Sequence, residues 1–225
     1  MFSYTKYLAT LFLIIAFNFN VKGQNEVYKY KDVGVLLSAY KSDSIALIER
    51  LVAYFFHERL NVYRISKGRG VLLWSDELWL VSRNHCVWMA SQKNLSHEER
   101  GGVFFTGFDP GNRIAYCNSK SIFHWTGENI LYTSDIWYGT IDETAKELAL
   151  EAFEMWKESS GHNKNMLRIE AKVQGVAFYL KDGVMWATEL LAGDELSPLE
   201  GEFVNPLTEY EPLEKKKSLV GVEKK

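Results

Sequence analysis

Three short segments of this chain carry side chains that could do chemistry together. Leu95-Ser96-His97 offers one imidazole, Gly127-Glu128-Asn129 a carboxylate, and Ser159-Ser160-Gly161-His162, just behind Trp156, a second imidazole. Neutral imidazoles are good ligands for a divalent ion such as zinc, and a carboxylate can complete or orient the set. The same three residues could instead form a hydrogen-bonded polar network that ties distant segments together. Ser96, Ser159 and Ser160 lie near histidines, but none stands in a nucleophile elbow. The sequence holds no His-Glu-x-x-His helix, no phosphate-binding loop and no Gly-x-Gly-x-x-Gly run.

The elements that would position these groups follow from periodicity and capping. Asp43 opens a helix that runs through Ile45 to Ile48 and on to Arg64, where Gly68 and Gly70 stop it. A second helix starts at the N-cap pair Ser75-Asp76. Leu78, Val81, Ser82, His85, Cys86 and Met89 share one of its faces, so His85 reads as a buried, hydrogen-bonded packing residue. Thr140 to Glu143 spells a capping box. The helix behind it buries Ala145, Leu148, Ala149, Ala152 and Trp156, and turns Glu147, Glu151, Glu154 and Glu158 to water. Ser159 shares the Trp156 face and Glu158 does not. Gly127 to Tyr132, Val173 to Leu180 and Val184 to Leu191 read as strands, the last two joined by the hairpin turn Asp182-Gly183. Val27 to Tyr30 is strand-like, and Gly101 to Ser121 reads as irregular.

The order and spacing of these pieces resemble the CAP superfamily, which comprises the cysteine-rich secretory proteins, antigen 5 allergens, plant pathogenesis-related proteins and many bacterial relatives. The likeness runs over residues 45–191. It is carried by Leu60-Asn61-x-Tyr63-Arg64 with Leu73-Trp74, by Leu78, Ser82, His85-Cys86 and Met89-Ala90, and by Arg113-Ile114-Ala115-Tyr116. Gly127-Glu128-Asn129, Trp156, Ser160-Gly161-His162, Gly175-Val176 and Trp186-Ala187-Thr188 complete it. The resemblance implies an α+β fold, a three-layer α-β-α sandwich with a small antiparallel sheet. It further implies that His97, Glu128 and His162 converge in one cleft with Ser159 and Asn129. There His97 and His162 would be the metal ligands, beside Glu128. A second glutamate of the family falls at Ser159 here, so that acid is missing. His57 and His124 match no motif and are assigned to surface or packing. The function implied is a secreted, non-catalytic module that binds a small apolar ligand or an envelope or host protein. The competing reading is a metal-dependent hydrolase or peptidase using the same cleft.

Residues 1–23 read as a signal peptide. Lys6 supplies the positive start, Leu8 to Phe17 the apolar run, and Val21 and Gly23 the small-residue cut before Gln24. Residues 24–44 form a lead-in. Residues 192–225 form a tail with three of the four prolines and the run Lys215-Lys216-Lys217. No second apolar run exists, so no membrane span is expected after cleavage. A net charge of −3 with both signs mixed gives no electrostatic case for nucleic acid. Cys86 and Cys117 would enter an oxidising compartment, where they could pair or remain small buried residues. N-terminal sequencing of exported material is expected to start near Gln24; material beginning at Met1 would refute the leader.

Overall fold

The computed structural model describes residues 26–134, 138–193, 200–201 and 203–209. Residues 1–23, read above as a leader, and most of residues 192–225 therefore lie outside the described residues. Six helices and five strands follow one another: α1 (Val33–Ala39), α2 (Ser44–Ser66), β1 (Leu73–Ser75), α3 (Asp76–Gln92), α4 (Pro110–Cys117), β2 (Trp125–Ser134), α5 (Ile141–Glu158), α6 (Ser160–Met166), β3 (Val173–Lys181), β4 (Val184–Gly193) and β5 (Glu200–Gly201). Among the described residues, no helix is long and apolar enough to cross a membrane.

The fold is the expected α-β-α sandwich. The strand order is β2-β4-β3-β1-β5. The pairs β2–β4 and β3–β4 are antiparallel, as expected, whereas β1 runs parallel to β3. Helices α2 and α5 cover one face of the sheet, and α3 with α4 the other.

Local signals set most boundaries. Asp43 caps α2 by accepting from the Ile45 and Ala46 amides, and Ser75 caps α3 by accepting from Leu78. The capping box closes in both directions between Thr140 and Glu143. Asp182 and Gly183 both take positive φ, 53° and 76°, as a tight hairpin turn demands. Asn61 grips both backbone groups of Leu72, accepting from its N–H at 2.8 Å and donating to its C=O at 3.1 Å. The buried Arg64 guanidinium donates to the carbonyls of Gly70, Met166, Arg168 and Ala171. The Asn-x-Tyr-Arg phrase thus pins the turn before β1 and the end of α6 to α2.

Two expectations change, and of the two readings of the cysteines one holds. Val27 to Tyr30 is not a strand: Tyr30–Asp32 is a turn of 3-10 helix leading into α1. The extended stretch before it finds a side chain as its partner. Asn84 accepts from the Tyr28 N–H and donates to the Tyr28 C=O. The segment from Gly101 to Ser121 contains α4, capped by Asp109 with Pro110 in its first turn. That helix and the lead-in cover the outside of α3, so α3 is buried on nearly every side. Finally, Cys86 and Cys117 are free. Cys86 faces the sheet, 3.3 Å from the Thr188 hydroxyl, whereas Cys117 meets Asn84 on another side of α3. Positions 84 and 86 stand about 200° apart around a helix, so α3 separates the two sulfurs. Burial pushes both thiols up to about 12, which leaves them inert.

Part of the tail is docked. Residues 200–201 pair with β1, and Phe203 stacks on Trp74 with ring centroids 3.9 Å apart. Arg50 lies over both rings and is paired with Asp76 at 2.6 Å.

The closest approach of helix to sheet is at Gly175. A Cβ there would stand 2.0 Å from the Trp79 nitrogen and 2.3 Å from the Leu78 carbonyl carbon, both backbone atoms. Gly175→Ala is therefore expected to destabilise the fold by at least about 1–3 kcal/mol, the usual cost of overpacking. A urea midpoint equal to that of the unsubstituted chain would refute this contact.

Candidate functional site

Glu128 and Asn129 are neighbours on β2 and therefore point to opposite faces of the sheet. Each organises a polar cluster in its own layer. Glu128 faces α3 and α4 and is buried. His97 donates from Nδ1 to Glu128 Oε1 at 2.9 Å, which leaves its Nε2 free of that bond. Arg113, on α4, donates from Nη2 to Glu128 Oε2. Its other terminal nitrogen, Nη1, holds the His97 carbonyl at 3.1 Å. Arg113 thus fixes both the carboxylate and the loop that presents the imidazole. His85 Nε2 lies 4.0 Å from Glu128 Oε1. Burial by itself would raise the Glu128 carboxyl. The His97 hydrogen bond and the charges of Arg113 and His85 outweigh it and hold the group below its ordinary range.

His85 is buried and hydrogen-bonded, as expected of a packing residue. Its Nδ1 is 3.0 Å from Glu99 and its Nε2 is 2.9 Å from the Ser96 carbonyl. Glu99 also accepts from the Thr106 and Gly107 amides. This second buried carboxylate folds the loop after α3 back on itself and so aims His97.

On the other face, Asn129 is fully buried rather than open to a cleft. It donates to the His162 carbonyl at 3.2 Å and to Glu189 at 2.7 Å, and it accepts from Asn165 at 2.9 Å. Asn165 also donates to the Glu128 carbonyl, and the Trp156 indole to the Ile130 carbonyl. These two side chains cover outward carbonyls of the edge strand. The His162 ring lies edge-on to Trp156 with centroids 6.4 Å apart. Its pKa is lowered, first by burial and then by the influence of His97. Ser159 is half-buried at the junction of α5 and α6 and makes no capping bond, while Glu158 is exposed.

The expected metal set does not assemble from these groups. Both Glu128 oxygens are engaged, one by His97 and one by Arg113, so the carboxylate orients an imidazole instead of offering a ligand. Among the described residues, no group of three or more His, Cys, Asp or Glu could hold a metal ion.

His57, assigned to surface or packing, is buried and in fact belongs to the Asn129 cluster. Its Nδ1 meets Gln174 at 2.6 Å, and Gln174 donates to Glu189 at 2.6 Å. His124 is exposed. Arg113, Glu99, Gln174 and Glu189 were not singled out by motif chemistry. The available signal was a polar residue inside an apolar strand: Gln174 between Val173 and Gly175, and Glu189 before Leu190-Leu191.

Comparison with known proteins bears on the family and the fold. Residues 57–186 match the model of the family described as "CAP: Cysteine-rich secretory protein family". The structure is similar to an extracellular protein containing an SCP domain from Bacillus anthracis, with 21% identity and a TM-score of 0.50; the match covers 65% of this chain and 41% of that one. It is also similar to an outer surface protein from Borrelia burgdorferi (15% identity, TM-score 0.48, 62% of this chain and 90% of that one). A third similarity is to a cysteine-rich secretory protein from Staphylococcus aureus (12% identity, TM-score 0.44, 65% and 40%). This chain therefore spans less than half the length of the Bacillus and Staphylococcus proteins. No curated protein matches the sequence. At this identity, the Bacillus likeness bears on the fold alone.

Removing Arg113 would strand a buried carboxylate. Arg113→Met is expected to cost about 3–5 kcal/mol in urea unfolding at neutral pH. Because the folded pKa of Glu128 is lowered, its contribution is present above the ordinary carboxyl range and lost as pH falls through the folded value. The variant should therefore lose part of the wild-type stability decline on the acid side. A stability–pH curve of unchanged shape in Arg113→Met would count against the pairing.

Proposed function

This chain belongs to the cysteine-rich secretory protein (CAP) family, and from that premise we propose that it acts outside the cytoplasm as a non-catalytic module that binds a small apolar ligand of lipid type. One observation carries the reading. The segment that holds His97 also exposes four large apolar side chains, Leu95 at 41%, Val103 at 62%, Phe105 at 44% and Phe108 at 45%. Beside them runs a groove of about 670 Å³, walled by Trp88, Leu95, Gly101 and Gly102 and rimmed by Gln92, Asn94, Glu98 and Arg100. That size suits a small molecule, and Trp88 and Leu95 supply its apolar contact within a lining that Gln92, Asn94, Ser96, Glu98 and Arg100 make otherwise polar. Exposing this much apolar side chain in one segment is costly unless something covers it.

Metal-dependent hydrolysis by His97, His162 and Glu128 has less support, because Glu128 is already spent on His97 and Arg113. His97 instead presents a carboxylate-oriented imidazole at the end of the groove segment. It is placed to accept or donate one hydrogen bond to the polar end of a ligand.

Trp88 lies in the groove wall, so a brominated fatty acid bound there should quench its fluorescence. Saturable quenching is expected in the wild-type chain and should vanish in Trp88→Phe. Leu95→Ser with Phe105→Ser should weaken binding at least about tenfold, since each buried apolar side chain is worth more than about 1.4 kcal/mol. His162→Ala and a chelator should leave binding unchanged. Absence of saturable quenching would reject the lipid-type ligand, and loss of binding on chelation would favour the metal reading.

A further inference from the structure

We propose that Glu189 is a positioning residue for His162, and that its protonation from solvent releases α6 from the edge of the sheet. Glu189 sits on β4, is fully buried, and faces the layer of α2 and α5. Both of its oxygens accept from an amide: Oε1 from Gln174 Nε2 at 2.6 Å and Oε2 from Asn129 Nδ2 at 2.7 Å. The rest of the network permits no other direction.

On the α2 side the polarity is set by the Leu72 backbone. Its N–H points at Asn61 Oδ1 and its C=O receives Asn61 Nδ2, so the Asn61 amide cannot turn over. Asn61 Nδ2 also lies 3.2 Å from His57 Nε2, which must therefore be the acceptor nitrogen of that ring. The proton is then on Nδ1, and Nδ1 donates to Gln174 Oε1 at 2.6 Å. That leaves Gln174 Nε2 for Glu189. On the α6 side, Asn165 Nδ2 donates both to the Glu128 carbonyl and to Asn129 Oδ1. Asn129 Nδ2 is thereby turned toward the His162 carbonyl and Glu189. Donors run inward from both ends, and the carboxylate is the sink for both.

A protonated Glu189 has an O–H that meets an NH₂ group on either side. For that O–H to be donated within the network, one amide has to reverse. Reversing Gln174 would force a new His57 tautomer and pull Asn61 from Leu72, deep in the core. Reversing Asn129 would set its oxygen against the His162 carbonyl and its NH₂ against that of Asn165. The second route breaks the 3.2 Å bond to the His162 carbonyl and the 2.9 Å bond from Asn165, both on a helix of seven residues. The strain of a neutral Glu189 therefore leaves through α6.

The charged and titratable groups around Glu189 are few. From α2 come His57 and Arg64, whose guanidinium is held by four carbonyls and stabilises the carboxylate at a distance. His162 lies beyond Asn129. The facing residues of β2 and β3 in the network, Asn129 and Gln174, are neutral, and the buried face of α5 is apolar except for Thr144. Burial dominates, and it pushes the carboxyl up to about 7 against the amide bonds and Arg64. The reversal thus belongs to the neutral range. His162 itself titrates lower than a free histidine.

This inference does not rest on the proposed groove, which is lined by other residues. The test reads the network itself, so a cleft that binds no lipid would leave it standing. The full chain is labelled with 15N, and the side-chain amides of Asn129, Asn165 and Gln174 are followed by NMR from mildly acidic to mildly alkaline pH, together with the His162 backbone amide. All four are expected to share one transition near pH 7. Glu189→Gln should abolish it, while His162→Ala should keep it at Asn129 and Gln174. A transition that survives in Glu189→Gln overturns the proposal, as does an Asn129 amide that stays flat while His162 moves. If Glu189→Gln fails to fold, the 13C carboxyl shift of Glu189 in the wild-type chain decides. Its midpoint has to coincide with that of the Asn129 amide, and distinct midpoints overturn the coupling.

Discussion

A carboxylate taken out of water at the edge of a sheet needs partners that hold its charge, and that need organises this protein. Glu128 draws Arg113 from α4, His97 from the loop after α3, and His85 from α3 itself. Each partner then carries a further obligation. Arg113 binds the His97 carbonyl, and His85 binds Glu99, which gathers the amides of the same loop. The charged cluster therefore fixes backbone as much as side chains. Replacing such an ion cluster with apolar groups would often be no less stable, so its value lies in the arrangement it specifies.

The strand alternation at Glu128-Asn129 carries that order through the sheet. One residue later, Asn129 does for α6 what Glu128 does for α4. Two adjacent side chains thus lock the outer layers to the same edge strand. The outward carbonyls of that strand are met by Trp156 and Asn165. The Trp, Ser-Gly-His and Gly-Glu-Asn pieces of the sequence belong together for this reason: they are the two sides of one closed edge.

What could be read in advance was local. Asp43, Ser75 and Thr140 cap helices through bonds to amides within three residues, and Asp182-Gly183 turns a hairpin through its own backbone angles. What could not be read depended on partners remote in the chain. Tyr28 looked like part of a strand because nothing nearby announces that Asn84 will satisfy its backbone. The carboxylate of Glu128 was legible as a site group. That Arg113 would neutralise it, and so withdraw it from metal binding, was a tertiary fact. The same holds for His57, whose role appears only when α2 is laid against β3. The cysteines stayed apart because α3 stands between them, which spacing alone could not settle.

The docked tail bears on the order in which the domain can be completed. β1 lies in the first half of the chain, yet both of its neighbours, β3 and β5, come from the second half. The indole of Trp74 and the guanidinium of Arg50 wait for Phe203, near the end of the described chain. A chain made from its N-terminus therefore holds an unpaired strand edge and an uncovered aromatic surface until its last packed segment arrives. Long-range closure of this kind is slow and leaves sticky surface exposed meanwhile. A polypeptide cut short before residue 200 would carry that defect permanently.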